Sequence, residues 1–267
     1  MKTLILYIYH DYNDRVERFI NKALFNDDDY HFLIICNDLN SVREFPDYVD
    51  VLRRDNVGYD FGGWSDGLFK DDRYLQYDYF LFVNSSVIGP FLPSYYKGKW
   101  PDIYIHGLEG NIKLFGSTIN TAGYSIRPNP REDSHVQSYI FAVNKETLEY
   151  LITCNIFSLE FTCKSLIEEI GEKEIQLSRK IIEKGWNIGC LHSYYKNVDF
   201  TFTSKIPDDL CFSFIGDVMY PYYFNYHFCN VYELVFVKGN RIRLDKINIV
   251  SEANDPIERL GLYGPPL

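Results

Sequence analysis

The sequence predicts an α/β protein, a mixed and mostly parallel sheet flanked by helices on both faces. Two observations carry this. Short continuous apolar runs, from Thr3 to Tyr9, His31 to Cys36 and Asp78 to Val83, are what strands covered on both faces look like. Between them apolar residues recur at helical spacing, and strand–helix alternation implies parallel strands joined by right-handed crossovers.

The elements follow in order. The opening Met1 to Tyr9 has the look of a brief signal segment. Its apolar run is short, no small-residue cleavage site follows, and Asp11 and Asp14 arrive at once, so a first buried strand is expected from Thr3. Val16, Phe19, Ile20, Ala23 and Leu24 mark an amphipathic helix from Asn13 or Asp14 to Leu24. The run at His31 to Cys36 is a strand ending in Asn37-Asp38, Val49 to Arg53 a short third strand, Gly63 to Leu75 a helix, and Asp78 to Val83 the next strand. Beyond Pro90 the pattern loosens. Pro90, Pro93, Pro101, Pro128 and Pro130 punctuate loops between short strands such as Asp102 to His106 and Ile112 to Gly116. Tyr139 to Val143 is strand-like, and Glu146 to Ile152 and Ser165 to Ile170 are helical candidates. Lys173 to Lys184 is a clearer helix, with Leu177 and Ile181 on one face and Gly185 as its stop. Trp186 to Leu191 returns as a strand and Tyr232 to Lys238 is a last one. With no repeat and no low-complexity linker, residues 1–267 are expected to form a single domain. Its nucleotide-binding half would run to about residue 95 and its acceptor-binding half from about residue 96.

Composition narrows the partners. A chain of 267 residues with 46% hydrophobic content buries an ample core and is not disordered. A formal charge of −10 argues against a nucleic-acid partner, which needs a basic face. A small anionic ligand needs only one or two cations and some amides. Aromatics at 17% suit stacking on sugar faces, although for any one of them the core is the commoner destination. The six cysteines show no two-residue spacing of a zinc or redox motif, which points to a reducing, cytoplasmic setting. Nothing approaches the length of a membrane span, so any membrane association would be peripheral, where an acceptor is held.

The chemistry concentrates in two places. Asn56-Val57-Gly58-Tyr59-Asp60-Phe61-Gly62-Gly63 joins a strand to a helix, and glycines there let backbone N–H groups approach a phosphate or ribose. About twenty residues on, the strand at Asp78 to Val83 stops in Asn84-Ser85-Ser86, at the carboxyl end where open α/β sheets bind ligands. Together they suggest a nucleotide-sugar pocket. Asn37 and Asp38 at the end of the second strand, with Asp60, are candidates to bond a base or ribose. The bland alternatives are a turn for Asn37-Asp38 and a weak Asn-x-Gly signal.

The order of these blocks resembles family-2-type glycosyltransferases of the GT-A fold, and more closely their rhamnan-synthesis F-like branch. The matching blocks are Asn84-Ser85-Ser86-Val87-Ile88-Gly89-Pro90-Phe91, Lys113-Leu114-Phe115-Gly116-Ser117-Thr118-Ile119-Asn120, His135-Val136-Gln137-Ser138, and Tyr232-Glu233-Leu234-Val235-Phe236-Val237-Lys238-Gly239-Asn240-Arg241. The match runs over most of the chain, roughly from residue 1 to residue 241, and the order of the blocks is more specific than any one of them. The resemblance implies a nucleotide-diphosphate sugar donor, a glycan or other carbohydrate acceptor, and a polysaccharide or glycan pathway with rhamnose transfer as one option. It also implies donor-site roles for Asn56, Gly58, Asp60, Asn84, Ser85, Ser86 and Lys113, and a Mn²⁺ or Mg²⁺ ion.

One departure matters. Enzymes of this fold usually present Asp-x-Asp at that strand end, whereas Asn84-Ser85-Ser86 has no carboxylate, and hard cations prefer charged oxygen ligands. Either a metal is weakly held, with Ser86 as a ligand, or Lys113, Arg127 or Arg131 neutralises the diphosphate. A catalytically silent nucleotide-sugar- or carbohydrate-binding module is therefore the alternative to a transferase. A nucleotidyltransferase is disfavoured because residues 9–15 lack a glycine-rich basic loop. For the acceptor base the resemblance points to Glu174 or Glu172 in Gly171-Glu172-Lys173-Glu174, with Glu132 and Asp133 competing and His135 contacting the diphosphate or capping a loop.

Overall fold

The computed structural model describes residues 1–121, 129–203 and 230–240. Its centre is one seven-stranded sheet in the order β10-β6-β9-β4-β1-β2-β3. The strands are β1 (Thr3–Tyr9), β2 (Tyr30–Cys36), β3 (Val49–Arg53), β4 (Tyr79–Asn84), β6 (Ile112–Gly116), β9 (Ile140–Asn144) and β10 (Asn187–Cys190). β1 runs parallel to β2 and β4, β2 to β3, and β10 to β6, while β9 runs antiparallel to β4 and β6. The mostly parallel α/β expectation is met, and strands of both halves share the sheet.

From β1 the chain moves outward to β2 and β3, then returns to β4 on the other side of β1. That reversal opens a crevice at the carboxyl ends of β1 and β4, the natural ligand position in such sheets. Register puts Ile8 of β1 beside Asn84 of β4, so the polar triplet lies at its mouth.

Alternation along β1 feeds two cores. Ile5, Tyr7 and Tyr9 face helices α1 (Asp14–Ala23) and α3 (Trp100–His106), where Tyr7 stacks on Phe19 with ring centroids 3.8 Å apart. Leu4, Leu6 and Ile8 face α2 (Tyr59–Phe69), α5 (Lys145–Thr153) and α7 (Gln176–Glu183). Trp64 of α2 packs there among Phe61, Phe82 and Phe141. Two small pairs complete the topology: β5 (Val87–Ile88) with β11 (Val237–Lys238), and β7 (Ile119–Asn120) with β8 (His135–Val136). The short helices α4 (Pro130–Asp133), α6 (Leu166–Glu169) and α8 (Val231–Leu234) lie between them in the chain. Among the described residues no helix is long and apolar enough to cross a membrane. Cys36, Cys154 and Cys163 are free thiols, and Cys211 and Cys229 lie outside the described residues.

Four expectations are corrected. Asp102 to His106 belongs to a helix, not a strand: Pro101 opens its first turn and the Asp102 carboxylate accepts from the Lys99 N–H at 3.0 Å. A short apolar run does not by itself distinguish strand from helix, and capping decides this one. Tyr232 to Lys238 splits into α8, capped by the Asn230 side chain on the Tyr232 N–H at 2.9 Å, and the two-residue β11. The helix expected from Gly63 to Leu75 begins at Tyr59, ends at Phe69 and gives way to a 3-10 turn over Lys70–Gln76. The helix expected from Lys173 is preceded by a wider π turn, Ile170–Ile175, continuous with α6 and α7.

The early start of α2 changes what its glycines do. Gly58 takes a left-handed φ of 69° as the N-cap. Gly62 and Gly63 lie inside the helix, where they allow close packing in place of the phosphate approach expected from sequence. A Cβ on Gly62 would fall 2.4 Å from the Val57 carbonyl oxygen, and one on Gly63 would fall 2.2 Å from Ile8 Cδ1. Gly62→Ala therefore forces backbone to move and is expected to destabilise the fold by about 1–3 kcal/mol, measured as a lower urea midpoint at unchanged slope.

Candidate functional site

The site is built where α2 begins and β4 ends. Asn84 Nδ2 donates to Asp60 Oδ2 at 2.9 Å, while Asn84 Oδ1 accepts from the Ser86 N–H at 3.0 Å and from Ser86 Oγ at 2.5 Å. The triplet thus folds on itself and offers its amide to Asp60. Burial pushes the Asp60 carboxyl up to about 6, Asn84 pulls it down, Glu174 raises it and Lys238 lowers it.

Two more carboxylates converge on Asp60. Glu169, at the end of α6, is buried, and its Oε1 accepts from the Phe61 N–H at 3.1 Å. Burial, then the charge of Asp60, pushes its carboxyl up to about 8. Glu174 lies in the π turn, partly buried, with Oε1 accepting from the Ser138 N–H at 2.9 Å. π turns of this kind often occur at functional sites, because the widened turn re-aims side chains.

Cations reach the triplet from both ends of the chain. Arg15 Nε donates to the Ser85 carbonyl at 3.0 Å. β11 pairs with β5 just beyond the triplet, the Gly239 N–H donates to the Ser86 carbonyl at 2.6 Å, and Lys238 lies close enough to Asp60 to lower its pKa.

The other expected residues take different positions. Asn37 is buried and spent internally: its Oδ1 accepts from Arg54 at 2.8 Å and its Nδ2 donates to Asn56 Oδ1 at 3.0 Å. Arg54 also holds Asp66 Oδ2 at 2.5 Å and the Val57 carbonyl at 2.6 Å, so Asn37, Asn56 and Arg54 brace the loop that feeds Gly58. Asp38 is exposed and accepts from the Asn40 N–H at 2.9 Å, the turn that was its bland alternative. His135 is buried with Nδ1 on the Asp133 carbonyl at 2.6 Å, in the block whose Val136 N–H donates to Ser178 Oγ and whose Ser138 N–H meets Glu174. Glu172 and Glu132 are exposed, and Asp133 accepts from the Asn129 N–H.

Lys113 is not brought to the triplet. It lies in β6, which runs the same way as β4, near the amino end of that strand, and pairs with Glu146 at 3.8 Å. Arg131 is committed to the Phe202 carbonyl at 2.6 Å, and Arg127 lies outside the described residues. Lys238 and Arg15 are the cations that sequence reasoning missed, although Lys238 stood within a quoted block. Glu169 was missed too, since a glutamate in a charged helical run reads as solvated.

The chemistry expected of a metal can be tested on these donors. Asn84 and the two serines are neutral, and Asn84 Oδ1 already takes two donors. Among the described residues no group of three His, Cys, Asp or Glu side chains is placed to hold an ion. The donor set does not fit a divalent cation gripped by protein ligands alone. A cleft of about 420 Å³ does open elsewhere, along β6 and β10 between Phe115, Asn187, Tyr195 and Asp199, and it includes none of the site residues above.

The family model for rhamnan synthesis protein F matches residues 32–208, more than half of the 267-residue chain. The chain belongs to the rhamnan synthesis protein F family. Two curated relatives, both named virulence protein VirA and both from Vibrio anguillarum, are 27% identical over 197 residues, covering 68% of this chain and 54% of theirs. The chain thus spans about half the length of the curated relatives it matches. Among solved structures it is similar to a cytidylyltransferase from Leptospira borgpetersenii serovar Hardjo-bovis, at 12% identity and a TM-score of 0.38 over 74% of this chain and 77% of that one. In this rhamnan synthesis protein F family member, the segment matched by the family model carries Asp60, Asn84, Glu169 and Glu174, whereas Arg15 and Lys238 lie outside it.

The Asp60 carboxyl supplies a sign-definite expectation. Its folded pKa is raised above its ordinary value of 3.8, so the folded state holds the proton more tightly and stability falls as pH rises from about 4 to about 6. Asn84→Ala removes the donor that pulls the pKa down, so Asp60 should titrate higher still, and the fall in stability should extend to higher pH. Carboxyl ¹³C NMR titration of both proteins reads this directly.

Proposed function

We propose that this chain transfers a sugar from a nucleotide-diphosphate sugar to a carbohydrate acceptor, with the donor held at the carboxyl ends of β1 and β4 in a GT-A-like arrangement. The observation that carries the reading is the convergence at one sheet switch point of Asp60, bonded to Asn84, with the cations Arg15 and Lys238. Asp60 is placed to accept hydrogen bonds from donor hydroxyls. Arg15 and Lys238 bring positive charge to where a leaving diphosphate would develop negative charge, a preorganised stabilisation worth most in a water-poor site.

Glu174 is the acceptor base in this reading. In an inverting transfer the acceptor oxygen attacks the anomeric carbon, the bond to the diphosphate breaks with its electron pair, and the hydroxyl proton passes to Glu174 Oε2. The Ser138 N–H occupies Oε1 and fixes the orientation of the carboxylate. With one oxygen fixed by the Ser138 N–H, Glu174 suits the role better than the exposed Glu172.

Glu174→Gln preserves shape and removes the basic oxygen. It should lower kcat by about a hundredfold or more while donor affinity stays near wild type. A mutant of wild-type turnover sinks the assignment, as does retention of configuration in the product, read first by NMR. Lys238→Ala should instead weaken both nucleoside diphosphate binding and kcat/KM by about tenfold or more, checked by calorimetry and initial rates. Unchanged affinity and rates would remove Lys238 from the donor site.

A further inference from the structure

Helix α2 has no cap of its own. Its N-cap, Gly58, lacks a side chain, and the first turn presents backbone N–H groups without a local acceptor. Glu169, 108 residues away in sequence, fills that position, accepting from the Phe61 N–H at 3.1 Å and also from the Asp60 N–H. It is 6% exposed, sits at the junction of α6 and the π turn, and is aimed at the turn that carries Asp60.

We propose that Glu169 is the positioning residue of this site: it caps α2 in trans, fixes Asp60 against Asn84, and by its charge sets the affinity of the site for a nucleoside diphosphate. The part about affinity rests on the donor-site reading above, while the part about capping does not.

The charged surroundings favour a proton on Glu169. Asp60 faces it from α2 and Glu174 from the π turn, and both raise its pKa. Glu168 and Glu172 flank it on its own helical run. Lys173, one turn on, donates a hydrogen bond to the Asn155 carbonyl at 2.6 Å; burial lowers its own pKa, against the raising charge of Glu169. Cys163 beside Lys173 is a buried thiol pushed up by burial, so it supplies no charge at neutral pH. Lys238 acts on Asp60. A neutral Glu169 still accepts the two N–H bonds. As pH passes about 8 it ionises, and a second negative charge then stands beside Asp60, which opposes an anionic ligand.

The test uses the full chain as wild type, Glu169→Gln and Glu169→Ala. UDP, dTDP and GDP are titrated by calorimetry at about pH 6 and about pH 9, and thermal midpoints are followed between. Glutamine imitates the protonated acid. Wild-type affinity should fall about fivefold to tenfold more than that of Glu169→Gln between the two pH values. The wild-type midpoint should likewise fall below that of Glu169→Gln as pH rises toward about 8, because the folded state binds a proton that the unfolded state has lost. Glu169→Ala should bind weakly at both pH values. If Glu169→Gln and wild type share one pH slope in midpoint and affinity, Glu169 does not hold the proton and the proposal falls. A folded Glu169→Ala of wild-type affinity also overturns it. If the wild type binds none of the three nucleotides, the affinity part fails with the donor-site reading, and the capping part is still decided by whether the Glu169→Ala midpoint falls below that of Glu169→Gln at about pH 6.

Discussion

The structure around the crevice depends on holding one carboxylate, that of Asp60, partly out of water at the start of α2. Several otherwise unrelated features serve that placement. Gly58 turns left-handed so that α2 can begin one residue before Asp60. Gly62, Gly63 and Gly67 let the helix approach the Val57 carbonyl, Ile8 and Leu33 more closely than any side chain would allow. Arg54 ties the incoming loop to Asn37 and Asp66, and Asn84 meets the carboxylate from the neighbouring strand. A β-carbon, a lost guanidinium or a shorter amide at any of these points would move the same group.

The balance of forces at Asp60 explains why so many neighbours are needed. A shift from 3.8 to about 6 corresponds to burial, with the charge of Glu174, opposing the charged form by on the order of 3 kcal/mol after Asn84 and Lys238 have acted. Hydrogen bonds to a charged group contribute about 1.5–3 kcal/mol each, so one amide does not offset desolvation. Glu169 is further still from its ordinary value because it adds Asp60's charge to its own burial. Such carboxyls cost stability and persist where a fold holds them rigidly, which is a common property of functional sites.

Much of the fold was legible because its strands are long apolar runs and its early helices are periodic. Thr3 to Tyr9 and Val49 to Arg53 match their strands residue for residue. Misreadings came where capping outweighs pattern: Pro101 and Asp102 start a helix in an apolar run, and Asn230 does the same ahead of Tyr232. At the site, Asp60 and Asn84 were visible as polar groups at a strand end and helix start, and the structure joins them. Their expected helpers were not all equal. Lys113 matched a block in the resemblance, yet its direction along β6 sends it to Glu146, which only sheet topology reveals. Glu169 looks like surface in sequence, because the group that buries it begins 108 residues earlier.

The pairing of β5 with β11 has a consequence for how the molecule is made. Residues Val87 and Ile88 emerge from a ribosome about 150 residues before Val237 and Lys238 can meet them. The sheet β1 to β4 can form early from local crossovers, while the crevice stays open on one side until that late strand arrives. A nascent chain therefore carries most of a pocket well before it carries the lysine beside Asp60. Long-range closure of this kind is slow compared with forming neighbouring strands, so the β5–β11 pair that brings Lys238 in is expected to close after the sheet β1 to β4.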